Sequence, residues 1–125
     1  MILGLGTDLV AIPRVEEVLS RHGERFLDRV FTAAEQADCL SRARPARHLA
    51  ARLAAKEAAR KALGTGWGLG VRWRDIEVRA GGSTPPSLRL AGAAKQRAET
   101  QGIRRALVSL SHDGEYAVAV VVATD

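Results

Sequence analysis

The sequence predicts an α+β fold, a largely antiparallel sheet packed with helices, in a single domain over residues 1–125. Three observations carry this expectation. An apolar strand pattern opens the chain, segments of helical period fill its middle, and two β-rich runs at its end are joined by Asp113-Gly114, a dipeptide suited to a tight antiparallel hairpin. The chain is 46% hydrophobic and 26% charged, which suffices for one ordinary core, and with 4% aromatic residues that core must be built from Ala, Val, Leu and Ile. No internal repeat, low-complexity segment or linker divides it.

Residues 2–12 read as a strand with Leu3, Leu5 and Leu9 on one face and Ile2, Val10 and Ile12 on the other; apolar on both sides, it is expected to be central. Pro13 suits the first position of a helix reaching about Arg21, with Val15, Val18 and Leu19 at helical spacing and Gly23 as its stop. Thr32-Ala-Ala-Glu35 has the spacing of a capping box and opens a second helix, which Pro45 should end. A third helix is expected over 46–63. On it Ala50, Ala54, Glu57, Ala58 and Lys61 share one face, where small side chains admit another backbone or a ligand. Residues 64–70 form a glycine-rich loop that follows a helix and lacks GxGxxG spacing, so it is not a dinucleotide fingerprint. Beyond it, 71–79 reads as a strand, 81–86 as a turn, 87–90 as a short strand and 92–101 as a helix stopped by Gly102; 105–112 and 115–124 are the hairpin strands.

Composition narrows the function. The longest apolar run, 117–123, is too short to cross a bilayer and no signal-like segment opens the chain, so a cytoplasmic location with no membrane partner is expected. Cys39, the single cysteine, has no intrachain disulfide partner and lacks metal-ligand spacing; it reads as a helix residue rather than a nucleophile. A formal charge of +5 and a pI near 10.3 point to an acidic partner: nucleic acid, a phosphorylated metabolite or an acidic protein. Seven cations (Arg42, Arg44, Arg47, Arg52, Lys56, Arg60 and Lys61) stand against the one anion Glu57 in residues 42–61, although a solvated helix face gives the same pattern.

The chemistry enters with two carboxylates. Asp8 is alone inside the apolar first strand and Glu57 sits in the alanine-rich basic helix; each needs a partner, because an unpaired buried carboxylate is costly. Together with the cations around one of them, they suggest a divalent metal holding a phosphorylated substrate. The competing reading is a non-enzymatic basic nucleic-acid-binding domain, argued from the pI and the arginine-rich helices. It leaves Asp8 and Glu57 unexplained, and the sequence shows neither aromatic stacking platforms nor a recognisable nucleic-acid module. A binder that holds a phosphorylated or nucleotide ligand through a divalent cation shares the site and differs only in partner.

Four stretches, GLGTDLV at 4–10, RLAAKEAARKALGTG at 52–66, WRDIEV at 73–78 and SLSHDGEYAVAVVV at 109–122, together resemble the holo-(acyl-carrier-protein) synthases, the small trimeric branch of the 4'-phosphopantetheinyl transferases. They occur in the family order from end to end of the chain. The chain departs from the pattern at Gly82-Ser-Thr-Pro-Pro86, where the family shows a simpler Gly-x-Pro turn, so whether Pro85 or Pro86 matches it stays open.

The resemblance implies magnesium-dependent transfer of the phosphopantetheine arm of coenzyme A to a serine of an acyl carrier protein, leaving adenosine 3',5'-bisphosphate. It implies Asp8 and Glu57 as metal ligands, with Glu57 or a metal-bound water taking the serine proton, and Lys61 as the cation on the diphosphate. Alone, Lys61 reads as a helix-neighbour ion pair with Glu57. Ser109 and His112 of SLSH become cofactor contacts by resemblance, although a lone strand histidine is usually structural. Arg47, Arg52, Gly64, Thr65 and Gly66 are further candidates for the adenosine phosphates. Acyl carrier proteins are acidic, and the resemblance puts their docking surface on the first helix, where Arg14, Arg21 and Arg25 fall near one stripe among Glu16, Glu17 and Glu24. A homotrimer with sites between subunits is the implied assembly. A Ser/His hydrolase is not expected, because the GxSxG elbow is missing.

Overall fold

The terminal hairpin forms the heart of the sheet. In this computed structural model, which describes residues 1–65 and 69–125, strand β5 (Tyr116–Thr124) pairs antiparallel with β1 (Ile2–Ala11) on one side and with β4 (Arg105–Asp113) on the other. Gly114 takes φ +58°, the left-handed conformation that an Asp-Gly hairpin turn requires. Strand β1 is therefore at an edge of this sheet and not at its centre. Its two apolar faces have different fates: Gly4, Gly6 and Asp8 look toward helix α3 (Pro45–Leu63), while Leu3, Leu5 and Leu9 are exposed. The exposed side continues across the sheet through Val118, Val120 and Leu107.

Helix α3 covers the other face. Its Ala54, Ala58 and Ala62 pack with Ala119, Val121 and Ala123 in a core of small side chains. Contact with β1 is closer still, main chain to main chain: a Cβ on Gly6 would lie 1.9 Å from the Ala58 carbonyl oxygen, and one on Gly4 2.1 Å from that of Ala62. The small face expected on this helix thus receives a strand backbone.

Helix α1 (Ile12–Val30) begins with Pro13 in its first turn but does not stop at Gly23. Helical geometry breaks only at His22 (φ −130°, ψ 15°), and the chain resumes as helix because Leu27 and Val30 are anchored in a second core with Phe31, Cys39 and Leu49. Helix α2 (Ala33–Leu40) opens on the expected capping box: the Glu35 amide donates to Thr32 Oγ1 at 3.2 Å and the Thr32 amide to Glu35 Oε1 at 2.8 Å. It ends well before Pro45, which instead starts α3, where a missing N–H costs nothing. The strand expected over 71–79 is shorter. Asp75 Oδ2 accepts from the Arg72 amide at 2.9 Å, which winds Trp73–Asp75 into a 3-10 turn, and only β2 (Ile76–Arg79) is extended, paired with β3 (Ser87–Leu90). Helix α4 (Gly92–Thr100) follows.

One buried ion pair ties these parts together. Lys56 Nζ lies 2.7 Å from Glu35 Oε1 with both side chains fully buried; it also donates to the carbonyls of Trp73, at 3.2 Å, and Ile76. The Val78 amide donates to Glu35 Oε2 at 2.8 Å. Three donors of one ammonium and both oxygens of one carboxylate are thereby engaged across α2, α3 and β2. Burial pushes the neighbouring Cys39 thiol up to about 11, which keeps it protonated and unreactive.

Candidate active site

Asp8 sits opposite Ala119 on the α3-facing side of β1, and Glu57 projects from the middle of α3. Because the two backbones touch, both carboxylates open into one cleft of about 420 Å³. Arg14, from the first turns of α1, lines the same cleft, and Val15, Val18, Phe26 and Leu53 give it an apolar wall. Lys61, one turn beyond Glu57, places Nζ 3.2 Å from Asp8 Oδ1 and 2.9 Å from the Thr7 carbonyl oxygen. Burial, and after it the Asp8 charge, raises the Glu57 carboxyl above its ordinary range, with Arg60 and Lys61 opposing. Two like-charged groups are thus held toward one space with incomplete compensation, an arrangement that a cation relieves.

The remaining candidates lie elsewhere. His112 and Arg52 line a second cleft of about 320 Å³ with Arg42 and His48. The His48 and His112 rings meet edge to face, centroids 6.1 Å apart, and burial first, then Arg42 and Arg52, lowers the His48 pKa. The Arg52 guanidinium is buried, bonded to Asp38 and, at 3.2 Å, to the Ala80 carbonyl. Arg47 lines a small cleft with Glu16 and Arg44. Ser109 is exposed in the row with Val120 and Thr7, on the sheet face away from α3. Gly64 caps α3 at φ +69°; Thr65 is buried with Oγ1 3.4 Å from the Arg60 carbonyl, and Gly66 lies outside the described residues. Arg21 is exposed and paired with Glu17 at 3.1 Å, and Arg25 is exposed beyond the His22 kink.

Sequence reasoning missed the apolar wall and the Arg42 and His48 side of the second cleft. The wall had a signal: Val15 and Val18 were legible as the apolar stripe of α1. Arg42 and His48 had none, since their proximity to His112 depends on how α2, α3 and β4 pack. The basic segment 42–61 also changes meaning, because Arg52, Lys56 and Arg60 are buried. Much of that charge is structural, which weakens the nucleic-acid reading.

The model of the 4'-phosphopantetheinyl transferase superfamily matches residues 4–121. The chain is 47% identical over 125 residues to the holo-[acyl-carrier-protein] synthase of Koribacter versatilis (strain Ellin345), covering 100% of both. Among solved structures, it resembles the holo-[acyl-carrier-protein] synthase of Neisseria meningitidis at 34% identity, with 100% of each chain covered and a TM-score of 0.90. The Helicobacter pylori holo-[acyl-carrier-protein] synthase, solved in complex with coenzyme A, is 31% identical, with 96% of this chain and 99% of that one covered and a TM-score of 0.83. These likenesses include the strand and the helix that carry the paired carboxylates, and the class they define is a transferase enzyme on a single α+β domain. The chain belongs to the 4'-phosphopantetheinyl transferase superfamily, and the relatives it matches over its whole length are its holo-[acyl-carrier-protein] synthases.

Proposed function

We propose that this enzyme transfers the 4'-phosphopantetheine group of coenzyme A to a serine of an apo acyl carrier protein, releasing adenosine 3',5'-bisphosphate, in a magnesium-dependent reaction of the cytoplasm carried out by the single domain 1–125. The observation that carries this reading is the convergence of Asp8 and Glu57 on one cleft, flanked by Lys61 and Arg14. The donor set fits magnesium. Paired carboxylates suit a hard cation, and among the described residues no third His, Cys, Asp or Glu joins them, which leaves other positions to phosphate oxygens and water. When bound, the ion supplies charge neutralisation at the diphosphate.

In the reaction the serine Oγ forms a bond to the β-phosphorus of coenzyme A while the bond from that phosphorus to the bridging oxygen breaks, and the bisphosphate leaves with the electron pair. Glu57, whose carboxyl is shifted upward, or a water beside it takes the serine proton. Lys61 offsets charge on the departing phosphate, and the rest is positioning. We assign His112, Ser109, Arg47, Arg52, Gly64, Thr65 and Gly66 to the nucleotide end, with the engagement of Arg52 by Asp38 limiting it to an indirect part. Arg14, Arg21 and Arg25 are the docking cations for an acidic carrier.

The test is direct: incubate the purified chain with magnesium, coenzyme A and an apo carrier, and follow the carrier's mass. Addition of phosphopantetheine is expected, with none in EDTA. Arg21→Glu, on the exposed face of α1 and outside the carboxylate cleft, should raise KM for the carrier severalfold, with little change in coenzyme A affinity. Failure to modify any of several fatty-acid or polyketide carriers overturns the assignment.

We further propose a homotrimer. The uncovered sheet face bearing Leu5, Leu9, Leu107, Val118 and Val120 supports burial against another copy, and the family resemblance supplies the number three. Sedimentation equilibrium should return three times the 13.4 kDa chain mass. Leu5→Arg should drive dissociation, and a monomeric wild type defeats this assembly.

A further inference from the structure

The last turn of α3 carries Lys61 and is held from outside by helix α4. We propose that Arg97 and Gln101 are positioning residues for Lys61: they grip the final carbonyl of α3, keep its last turn wound, and so keep the lysine amine on Asp8. This rests on the reading of Lys61 given above.

Four carbonyls at the end of a helix have no partner within it, and terminal turns fray unless something else engages them. In α3 each meets a different neighbour. The Arg60 carbonyl accepts from the Thr65 amide at 3.2 Å, and that of Lys61 accepts from the Gly64 amide at 3.1 Å. The Ala62 carbonyl lies against Gly4 of β1. The Leu63 carbonyl accepts from Gln101 Nε2 at 2.6 Å and from Arg97 Nε at 3.3 Å, two side chains whose sequence distance from it exceeds thirty residues. Arg97 brings a cation to the negative end of the helix dipole, and its guanidinium continues alongside Gly64, 3.8 Å from where a Cβ there would stand.

This grip matters because of how Lys61 is held. Its side chain is 55% exposed, so packing does little to fix it; its amine is placed by the Thr7 carbonyl, by Asp8 and by the direction in which the last helical turn aims it. Releasing Leu63 frees the left-handed Gly64 turn and loosens the backbone that gives Lys61 that direction. Neither Arg97 nor Gln101 lines the cleft of the carboxylates; because Arg97 runs alongside Gly64, which is assigned to the nucleotide end, a direct contact would raise KM for coenzyme A, whereas an effect through the helix end lowers kcat alone.

The test compares Arg97→Ala/Gln101→Ala in the wild-type and Lys61→Ala backgrounds, with kcat and KM measured under saturating magnesium and thermal melts recorded for every variant. In the wild-type background kcat should fall three- to tenfold with KM for the carrier unchanged, and hydrogen exchange at the Gly64 and Thr65 amides should quicken. Arg97→Lys, which retains a cationic donor, should recover most of the loss. In the Lys61→Ala background the same double substitution should have no further effect on kcat. An equal fold loss in both backgrounds, or an unchanged kcat in the first, overturns the proposal. Lys61→Ala alone reports on the underlying reading: if it keeps full activity, the assignment of Lys61 fails and its positioning residues fail with it. Should the double variant melt below assay temperature, Gln101→Met removes the shorter hydrogen bond while keeping bulk, and the same comparison applies.

Discussion

Glu57→Ala is expected to lower phosphopantetheine transfer by a factor on the order of 10²–10³ while leaving the fold intact, because it removes half of an electrostatic site and nothing from the core. Glu57 is half-exposed and faces a like charge at Asp8, so its loss relieves repulsion instead of creating an unpaired partner. Melting temperature should therefore hold or rise slightly. Glu57→Gln, which preserves shape but not charge, should fall nearly as far, and Asp8→Ala should behave like Glu57→Ala in activity. Carrier mass spectrometry reads the loss, and circular dichroism checks the fold. Transfer by Glu57→Ala within about threefold of wild type would remove the carboxylate pair from the chemistry, since one group holding a hard cation among phosphates does not substitute cheaply for two.

The second large effect concerns stability. Glu35→Ala should destabilise the protein by about 3–5 kcal/mol, because it leaves the Lys56 ammonium buried beside two carbonyls without its counter-charge and strips the Val78 amide of its acceptor. For a chain of this size that corresponds to a fall in Tm of more than about 10 °C. Burial already presses the Lys56 pKa downward, with Glu35 as the main opposing influence, so removing the carboxylate turns the whole environment against the charge. Replacing both partners, Glu35→Met with Lys56→Met, should recover much of the loss. That contrast separates the cost of an orphaned ion from a simple loss of packing. A Tm within about 2 °C of wild type for Glu35→Ala would show that the ammonium finds water or deprotonates at little cost.

These two residues also show where sequence reading works. Helices α1 to α4, though not the length of α1, the terminal hairpin and the two candidate carboxylates were legible because each depends on local rules: period, capping chemistry, turn dipeptides, and the oddity of a charge among apolar neighbours. Glu35 was legible as half of a capping box, yet its second role was not. The same Oε1 that caps α2 also meets Lys56, a residue twenty-one positions on that reads as one more cation on a basic helix. The edge position of β1 escaped for a related reason: apolar side chains on both faces predict what the faces meet and carry no information on which strands pair alongside, and in the structure Leu3, Leu5 and Leu9 are exposed. Residues 71–79 were too β-rich for periodicity to reveal that Asp75 pulls the chain into a turn.

The glycines of β1 bear on what can vary in this enzyme. Because Gly4 and Gly6 rest directly on the carbonyls of Ala62 and Ala58, the gauge between the strand bearing Asp8 and the helix bearing Glu57 and Lys61 is set by two peptide chains and no intervening side chain. Exchanges among the aliphatic residues on the far side of that helix therefore alter how firmly the protein holds together without changing the span across which its acidic groups face each other. The spacing of the paired carboxylates and the melting point are thus set by separate contacts, and a methyl group added at either glycine disturbs both at once.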